Sequence, residues 1–273
     1  MLYKMDLLCI EDDVFSVVNI RLNLKRFEYS KSQRKIKRNV ENKFRVTMGL
    51  ASPNDAKEAL YVQQKSKFKG FIHATLHDYL NSGFHNTVFD TRELCVYDGN
   101  KLIAVSYFDI GEKSMASLLG LYDGDYEQYS LGVYTMLREI EYGMAHLKWY
   151  YPGYILDKPS SFNYKLRLGP VEYYNSNKRW SRYEQFNPEE TIAFRLKRCL
   201  DLLRIELKAE DLPFEEKMYP FFSMGYMGYW NTEFIKFPYF MVLQQQGDRT
   251  LLASFNLESN AYELIQAELT PSY

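Results

Sequence analysis

The stretch from Leu94 to Leu156 limits what this chain can fold into more than any other. Three short apolar runs, Leu94–Tyr97, Leu102–Ile110 and Met115–Tyr122, are separated by Asp98-Gly99-Asn100 and by Gly111-Glu112-Lys113. The first separator is a hairpin signal and the second a turn, so the runs predict three antiparallel strands in a meander. Val133, Leu137, Ile140, Met144 and Leu147 then recur at helical spacing, which marks a helix with one buried face. Ser130 stands where an N-cap belongs, and Trp149–Leu156 reads as the next strand. Meander, helix and strand in that order predict a mixed α/β protein of the α+β kind.

The flanks are read the same way. Residues 1–18 look like a short lead-in with an edge strand, and Ile20–Phe27 alternates as a half-buried strand. Asp55–Gly70 reads as a helix started by Pro53 and Asn54, and Phe71–Leu80 as another, broken near Asn81-Ser82-Gly83. Asn187-Pro188-Glu189-Glu190 opens a further helix with Ile192, Leu196, Cys199, Leu203 and Leu207 on one face. Tyr219–Trp230 is aromatic and Gly-rich, and Tyr239–Gln246, Thr250–Leu257 and Ala261–Leu269 look like three more strands.

Bulk properties exclude more than they assign. The chain has 273 residues, 46% hydrophobic and 25% charged, which suffices for a full core. Its 24 Tyr, 18 Phe and 3 Trp read mainly as core. A net charge of −1 gives no whole-molecule reason to bind nucleic acid, so such binding must come from a local patch. One exists: between Lys25 and Arg45 there are nine Lys or Arg against two Glu. Cys9, Cys95 and Cys199 form no C-x-x-C pair, which argues against a zinc site or a disulfide framework and fits a reducing compartment. His73 and His77 are spaced i, i+4 but lack an E-x-x-H pattern, so they read as polar surface residues rather than metal ligands. The first residues do not read as a signal peptide and no apolar run reaches membrane length, so a cytoplasmic protein is expected.

Four blocks carry chemistry. Ser32-Gln33-Arg34-Lys35-Ile36-Lys37-Arg38-Asn39 is a basic cluster suited to phosphate contacts, although a solvated face would read alike. Gly99–Ile110 and Ser114–Asp123 place Asp109 and Asp123 at strand ends, where a turn role is as natural as a chemical one. Ser130-Leu131-Gly132-Val133-Tyr134-Thr135-Met136-Leu137-Arg138-Glu139-Ile140 opens the central helix. There Gly132 keeps the first amides open to an anion, and Arg138 with Glu141 can form an i, i+3 pair. Tyr150-Tyr151-Pro152-Gly153-Tyr154-Ile155 is followed by Ser160-Ser161-Phe162-Asn163-Tyr164-Lys165 and Pro170-Val171-Glu172. Gly153 would let a substrate backbone approach the strand, while Tyr154 and Tyr164, taken singly, read as packed tyrosines.

In this order the four blocks resemble the catalytic half of the arginyl- and leucyl-tRNA–protein transferases. The basic block is similar to that family's S-Q-R-R-x-x-R-N stretch and the helix to its S-L-G-x-Y-x-x-L-R-E-I. The last blocks are similar to its tyr-x-gly-tyr-x-ile, lys-met-x-tyr-lys and pro-x-glu. Gly124 replaces a proline after Asp123, and Ser161 and Phe162 replace lysine and methionine. The resemblance runs over roughly residues 19–180. The family's N-terminal cysteine-rich module finds no counterpart, and its L-Y-x-x-Y-x-x-x-R-H helix is represented only by Leu60-Tyr61, with Gln64 at the second tyrosine.

The resemblance implies a GNAT-like acyltransferase core over residues 31–185, a strand lead-in over 1–30, and a C-terminal helix-plus-strands extension over 186–273 packed on the core. It implies transfer of an arginyl or leucyl residue from a charged tRNA to an amine, the N-terminal one, of an acceptor protein or peptide. Asp109, Asp123 and Glu139 would position or deprotonate the amine, and strand amides near Tyr122 would stabilise the oxyanion. Ser130, Leu131, Gly132, Arg138, Gly153, Tyr154, Tyr164 and Lys165 would bind the substrate. Lys31, Gln33, Arg34, Lys35, Lys37, Arg38 and Asn39 would hold the tRNA. Neither a metal nor an organic cofactor nor a membrane is implied. Two rivals stay open. One is an acyl-CoA-dependent N-acyltransferase, against which stands an incomplete R/Q-x-x-G-x-G/A turn. The other is a non-enzymatic binding protein that uses the aromatic C-terminal strands.

Overall fold

The computed structural model describes residues 7–11, 13–67, 72–81, 90–220, 222, 235–247 and 249–268. Its strands and helices, in chain order, are β1 (Leu7–Ile10), β2 (Asp13–Asn23), α1 (Lys31–Glu41), β3 (Arg45–Leu50), α2 (Asp55–Lys65), α3 (Leu76–Asn81), β4 (Asp90–Asp98), β5 (Lys101–Ile110) and β6 (Ser114–Tyr122). There follow α4 (Leu131–Met144), β7 (Trp149–Leu156), β8 (Val171–Tyr174), β9 (Trp180–Arg182), α5 (Ile192–Ala209), β10 (Glu215–Met218), β11 (Tyr239–Gln246), β12 (Arg249–Asn256) and β13 (Ala261–Glu268). This is an α+β chain. It forms two compact units, one holding Val17–Phe186, the other joining Met5–Ser16 to the residues from Asn187 onward.

The first unit is built on one sheet in the order β3-β4-β5-β6-β7-β2-β8-β9. The expected meander is there: β4, β5 and β6 pair antiparallel, with Ala104 opposite Val96 on one side and Tyr122 on the other. β6 and β7 run parallel, and α4 is the crossover that parallel neighbours need. β5 is covered on both faces, so it is buried from Leu102 to Asp109 and reads as a continuous apolar run rather than an alternation. On one face Leu131, Leu137 and Ile140 of α4 pack on Leu94, Ile103 and Phe108. On the other, Leu60 and Tyr61 of α2 pack on Cys95, Val105 and Leu121. Fully burying a leucine or phenylalanine contributes about 1.5–3 kcal/mol, so these two layers fix the sheet.

Local chemistry sets the element ends, and several differ from expectation. The strand expected over Ile20–Phe27 starts earlier, at Asp13, and stops at Asn23, whose side chain caps a short 3-10 turn over Leu24–Arg26. α2 stops at Lys65, short of the expected Gly70. The helix expected from Phe71 shrinks to α3, where the Glu58 carboxylate accepts the Leu76 amide at 3.0 and 3.1 Å. Residue 71 and the Ser82-Gly83 break lie outside the described residues. The basic run is a helix, α1, opened by a reciprocal Ser30–Gln33 capping box.

In the second unit β10-β11-β12-β13 form an antiparallel sheet, and β1 pairs with the first residues of β2. Ala193, Leu196, Leu200 and Leu207 of α5 share a core with Leu7, Val14, Met241 and Phe255. Asn187 caps a 3-10 turn over Pro188–Glu190, so α5 itself begins only at Ile192. Of the Tyr219–Trp230 stretch, residues 221 and 223–230 lie outside the described residues. Among the described residues no helix is long and apolar enough to cross a membrane.

Candidate active site

β6 and β7 stay together over three positions only, Ser114↔Trp149, Met115↔Tyr150 and Ala116↔Tyr151. Yet β6 continues to Tyr122 and β7 to Leu156. Two irregularities part them. β6 carries an extra residue against β5, Leu118, between the pairs Phe108↔Ser117 and Tyr107↔Leu119. β7 carries one against β2, between Leu22↔Tyr150 and Ile20↔Gly153. There Pro152 has no N–H to give a neighbour, and Gly153 takes φ +96°. A bulge bends its strand, and both bulges fall just past the last shared pair. A wedge opens between Ser117–Tyr122 and Pro152–Leu156.

Beneath the wedge lies Glu139, with none of its surface exposed. Its Oε2 accepts the Tyr150 hydroxyl at 2.8 Å. Burial pushes its carboxyl up to about 7, while the hydroxyls of Ser106, Tyr150 and Ser117 pull it back down. Ser117 is only half-buried, so it connects the mouth of the wedge to this carboxylate. Tyr164 is 39% exposed, yet burial of its hydroxyl and the charges at Glu139 and Tyr122 raise it to about 12.

Lys165 belongs to the 3-10 turn Ser161–Leu168 against β7 and is 9% exposed. Its Nζ donates to the Tyr154 carbonyl at 3.0 Å and lies 5.1 and 5.0 Å from the ring centres of Tyr154 and Phe162. Burial alone pulls its ammonium down to about 8. A Cβ on Gly153 would sit 3.3 Å from that Nζ. Gly153 therefore makes room for a lysine side chain, which corrects the expectation of an approaching substrate backbone.

At the open end, the Tyr122 carbonyl accepts Gln64 Nε2 at 2.6 Å, and the Tyr122 ring lies beside Gly132, in ordinary contact distance (3.6 Å) of where a Cβ would be. Gln64, at the position of the family's second tyrosine, thus fixes the strand end. Ser130 does not cap α4 as expected: it adopts φ +53°, its side chain makes no cap bond, and Leu131 and Gly132 open the helix uncapped. Asp123 is engaged with Lys101 at 2.7 Å and with the Asp125 amide at 3.1 Å, and the Lys101 ammonium holds its carboxyl below the usual range. It closes a turn. Asp109 faces Ala116, whereas Tyr122 faces Ala104, so the two aspartates lie at opposite ends of β5. Five residues of strand separate them, about 17 Å. Asp109 accepts the Thr91 hydroxyl at 2.6 Å, and its burial raises its pKa.

The basic helix divides. Lys31, Arg34, Lys35, Arg38 and Asn39 are exposed on α1. Gln33 is buried instead, donating to the carbonyls of Arg167 and Leu168 at 2.9 and 3.1 Å. Lys37 pairs with Glu141 at 2.8 Å, and Arg138 with Glu41 at 3.1 Å, which ties α1 to α4. Gln33, Lys37 and Arg138 thus hold the scaffold, against the contact roles expected of them. Ser106, Ser117 and Tyr150 lie within the motif blocks, but nothing in the sequence singles them out, since only the fold brings them to Glu139. Among the described residues no group of three His, Cys, Asp or Glu is placed to hold a metal ion.

Comparison with known proteins bears on the family. Residues 50–175 match the family described as arginine-tRNA-protein transferase, C terminus. The aspartate/glutamate leucyltransferase of Campylobacter jejuni is 26% identical over 182 residues, 61% of this chain and 72% of that protein. Its namesake from Vibrio vulnificus is 27% identical over 170 residues, 58% and 68% of the two chains. That from Acinetobacter baumannii is 32% identical over 103 residues, 37% and 38%. Among solved structures, L-PGS from Bacillus licheniformis superposes with a TM-score of 0.39 at 12% identity, covering 51% of this chain and 48% of that one. The matches make the chain a transferase. Over these residues it is similar to the arginyl- and leucyl-tRNA–protein transferase family.

Proposed function

We propose that this protein moves an aminoacyl group from a charged tRNA to the N-terminal amine of an acceptor whose first residue is acidic, the acceptor type that the relatives' names carry. Leucine and arginine are the candidate groups, and the meander, α4 and β7 form a GNAT-like core. The observation that carries the reading is the wedge between β6 and β7, floored by a carboxyl that titrates near 7. A proton acceptor works best near the operating pH.

In this mechanism the neutral amine attacks the ester carbonyl and forms the new N–C bond. Its proton passes through the Ser117 hydroxyl to Glu139. Amides of the unpaired end of β6 and of the first turn of α4 stabilise the oxyanion. As the intermediate collapses, the C–O bond to the terminal ribose breaks and the leaving oxygen takes the proton back. The exposed face of α1 holds the acceptor stem through its phosphates. Such a reaction places the protein in the cytoplasm, where charged tRNA is found.

Incubation with radiolabelled aminoacyl-tRNAs and peptides beginning with Asp or Glu tests the reading. Label should move from tRNA to peptide, and Glu139→Gln should lower kcat more than it changes KM. Binding of coenzyme A without binding of tRNA would favour acyl-CoA chemistry instead.

A further inference from the structure

Among the described residues of the first unit two lysines are strongly buried, and they differ in one respect. Lys57 is 3% exposed and its Nζ meets Glu93 at 2.6 Å and the Ser52 carbonyl at 2.5 Å. Its charge is neutralised inside the protein. Lys165 is 9% exposed and has a carbonyl and two ring faces, but no carboxylate within ion-pair distance among the described residues. An ammonium carries three donors, and a backbone carbonyl takes one of them. Rings attract a cation but bear no negative charge to balance it. A buried charge without an opposite partner is costly, and proteins ordinarily pair it. Here the described residues supply no carboxylate partner, and Gly153 is held at φ +96° beside the Nζ.

The geometry points to Lys165 as the specificity residue for the acceptor: its ammonium pairs with the side-chain carboxylate of the acceptor's first residue. This rests on the transferase reading above and names the group behind its acidic preference. The rings of Tyr154 and Phe162 flank the carboxylate's methylenes, and the wedge beside Tyr164 holds the amine. An anion here must be small and single, because the lysine is alone and enclosed. Nucleic-acid phosphates are better served by the exposed cations of α1, several in a row along one face. An ammonium held at about 8 remains charged at neutral pH and loses little by exchanging water for a carboxylate.

The test compares the full-length protein with Lys165→Met and Lys165→Gln. Peptides that begin with Asp, Glu, Asn or Gln are measured for transfer and, by calorimetry, for binding. The wild type should bind and use the acidic peptides at least about tenfold better than the amides, the order expected when a buried charge pair is broken. Both variants should lose that preference, using acidic and amide peptides alike, with unchanged tRNA affinity. Thermal melting shows that both are folded. An undiminished acid-over-amide preference in either variant overturns the proposal. So does an equal loss for all four peptides with weakened tRNA binding, which would put an RNA group on Lys165. If the wild type binds acidic peptides through Lys165 but transfers nothing, the transferase reading fails while this assignment stands. If the wild type binds acids and amides alike, the assignment fails whatever the activity.

Discussion

Glu139→Gln should make the protein more stable, by an amount that the structure fixes. Burial moves the carboxyl from an ordinary 4.5 to about 7. At about 1.36 kcal/mol per pH unit, the ionised carboxylate costs the folded state ~3 kcal/mol. The sign follows from proton counting. Between pH 4.5 and 7 the folded protein holds a proton that the unfolded chain has lost, so stability falls as pH rises through that window. Above about 7 the full cost applies; below 4.5 it vanishes. The groups facing the carboxyl are Tyr150 of β7, Ser106 of β5, Ser117 of β6 and Tyr164 of the 3-10 turn, and both tyrosines are raised, so they stay neutral throughout. Glutamine keeps the shape, still accepts from Tyr150 and turns an N–H₂ toward the Ser106 hydroxyl, which can accept it. Urea unfolding of both proteins from about pH 4.5 to 8 measures the difference. It should be ~3 kcal/mol in favour of glutamine at about pH 8 and close to zero at about pH 4.5. Equal stability at the alkaline end, or a difference that does not change with pH, would refute the desolvated carboxylate.

Arg34, Lys35 and Arg38 changed together to Ala should weaken tRNA binding and flatten its salt dependence, by roughly 0.9 in log–log slope for each phosphate no longer neutralised, with the melting temperature unchanged. Titrations at several salt concentrations read this directly, and an unaltered slope counts against the α1 face. Gly143→Ala should cost about 1–3 kcal/mol, because the new Cβ would lie 2.6 Å from Met115 Sδ and 2.9 Å from Leu24 Cδ1; denaturant unfolding measures it. Lys57→Met should cost about 3–5 kcal/mol by leaving Glu93 charged and unpaired. The double variant with Glu93→Leu should recover most of that loss.

The parts of the fold legible in the sequence are those whose side chains face one core. Tyr239–Gln246 and Trp149–Leu156 have the limits their apolar runs suggest, and α5 buries the face its spacing marks. β3 is not legible, because it is an edge strand with no buried residue along Arg45–Leu50, so no alternation forms. The start of β2 is hidden although Val14, Ser16, Val18, Ile20 and Leu22 are all buried, because Ser16 interrupts the apolar pattern. Its hydroxyl is consumed by the Ala193 amide at 2.7 Å, a partner 177 positions away that no local pattern announces. At the site, motifs identify Glu139, Gly153 and Lys165. Their relation is not legible, because it depends on two bulges that open the sheet.

The pairing of Leu7–Ser16 with the chain beyond Asn187 has a consequence for the order of events on the ribosome. Val14 shares its core with Leu196 and Leu200, and those residues are translated about 180 positions later. At roughly 5–20 residues per second, the first strand pair waits about ten to forty seconds for its cover. An isolated hairpin is marginal in water, so during that interval its apolar side chains are open to any other hydrophobic surface. Factors that shield nascent chains should therefore matter most for this protein while residues 17–186 are being made. Slowing elongation after Phe186 should lengthen the exposure and lower the soluble yield.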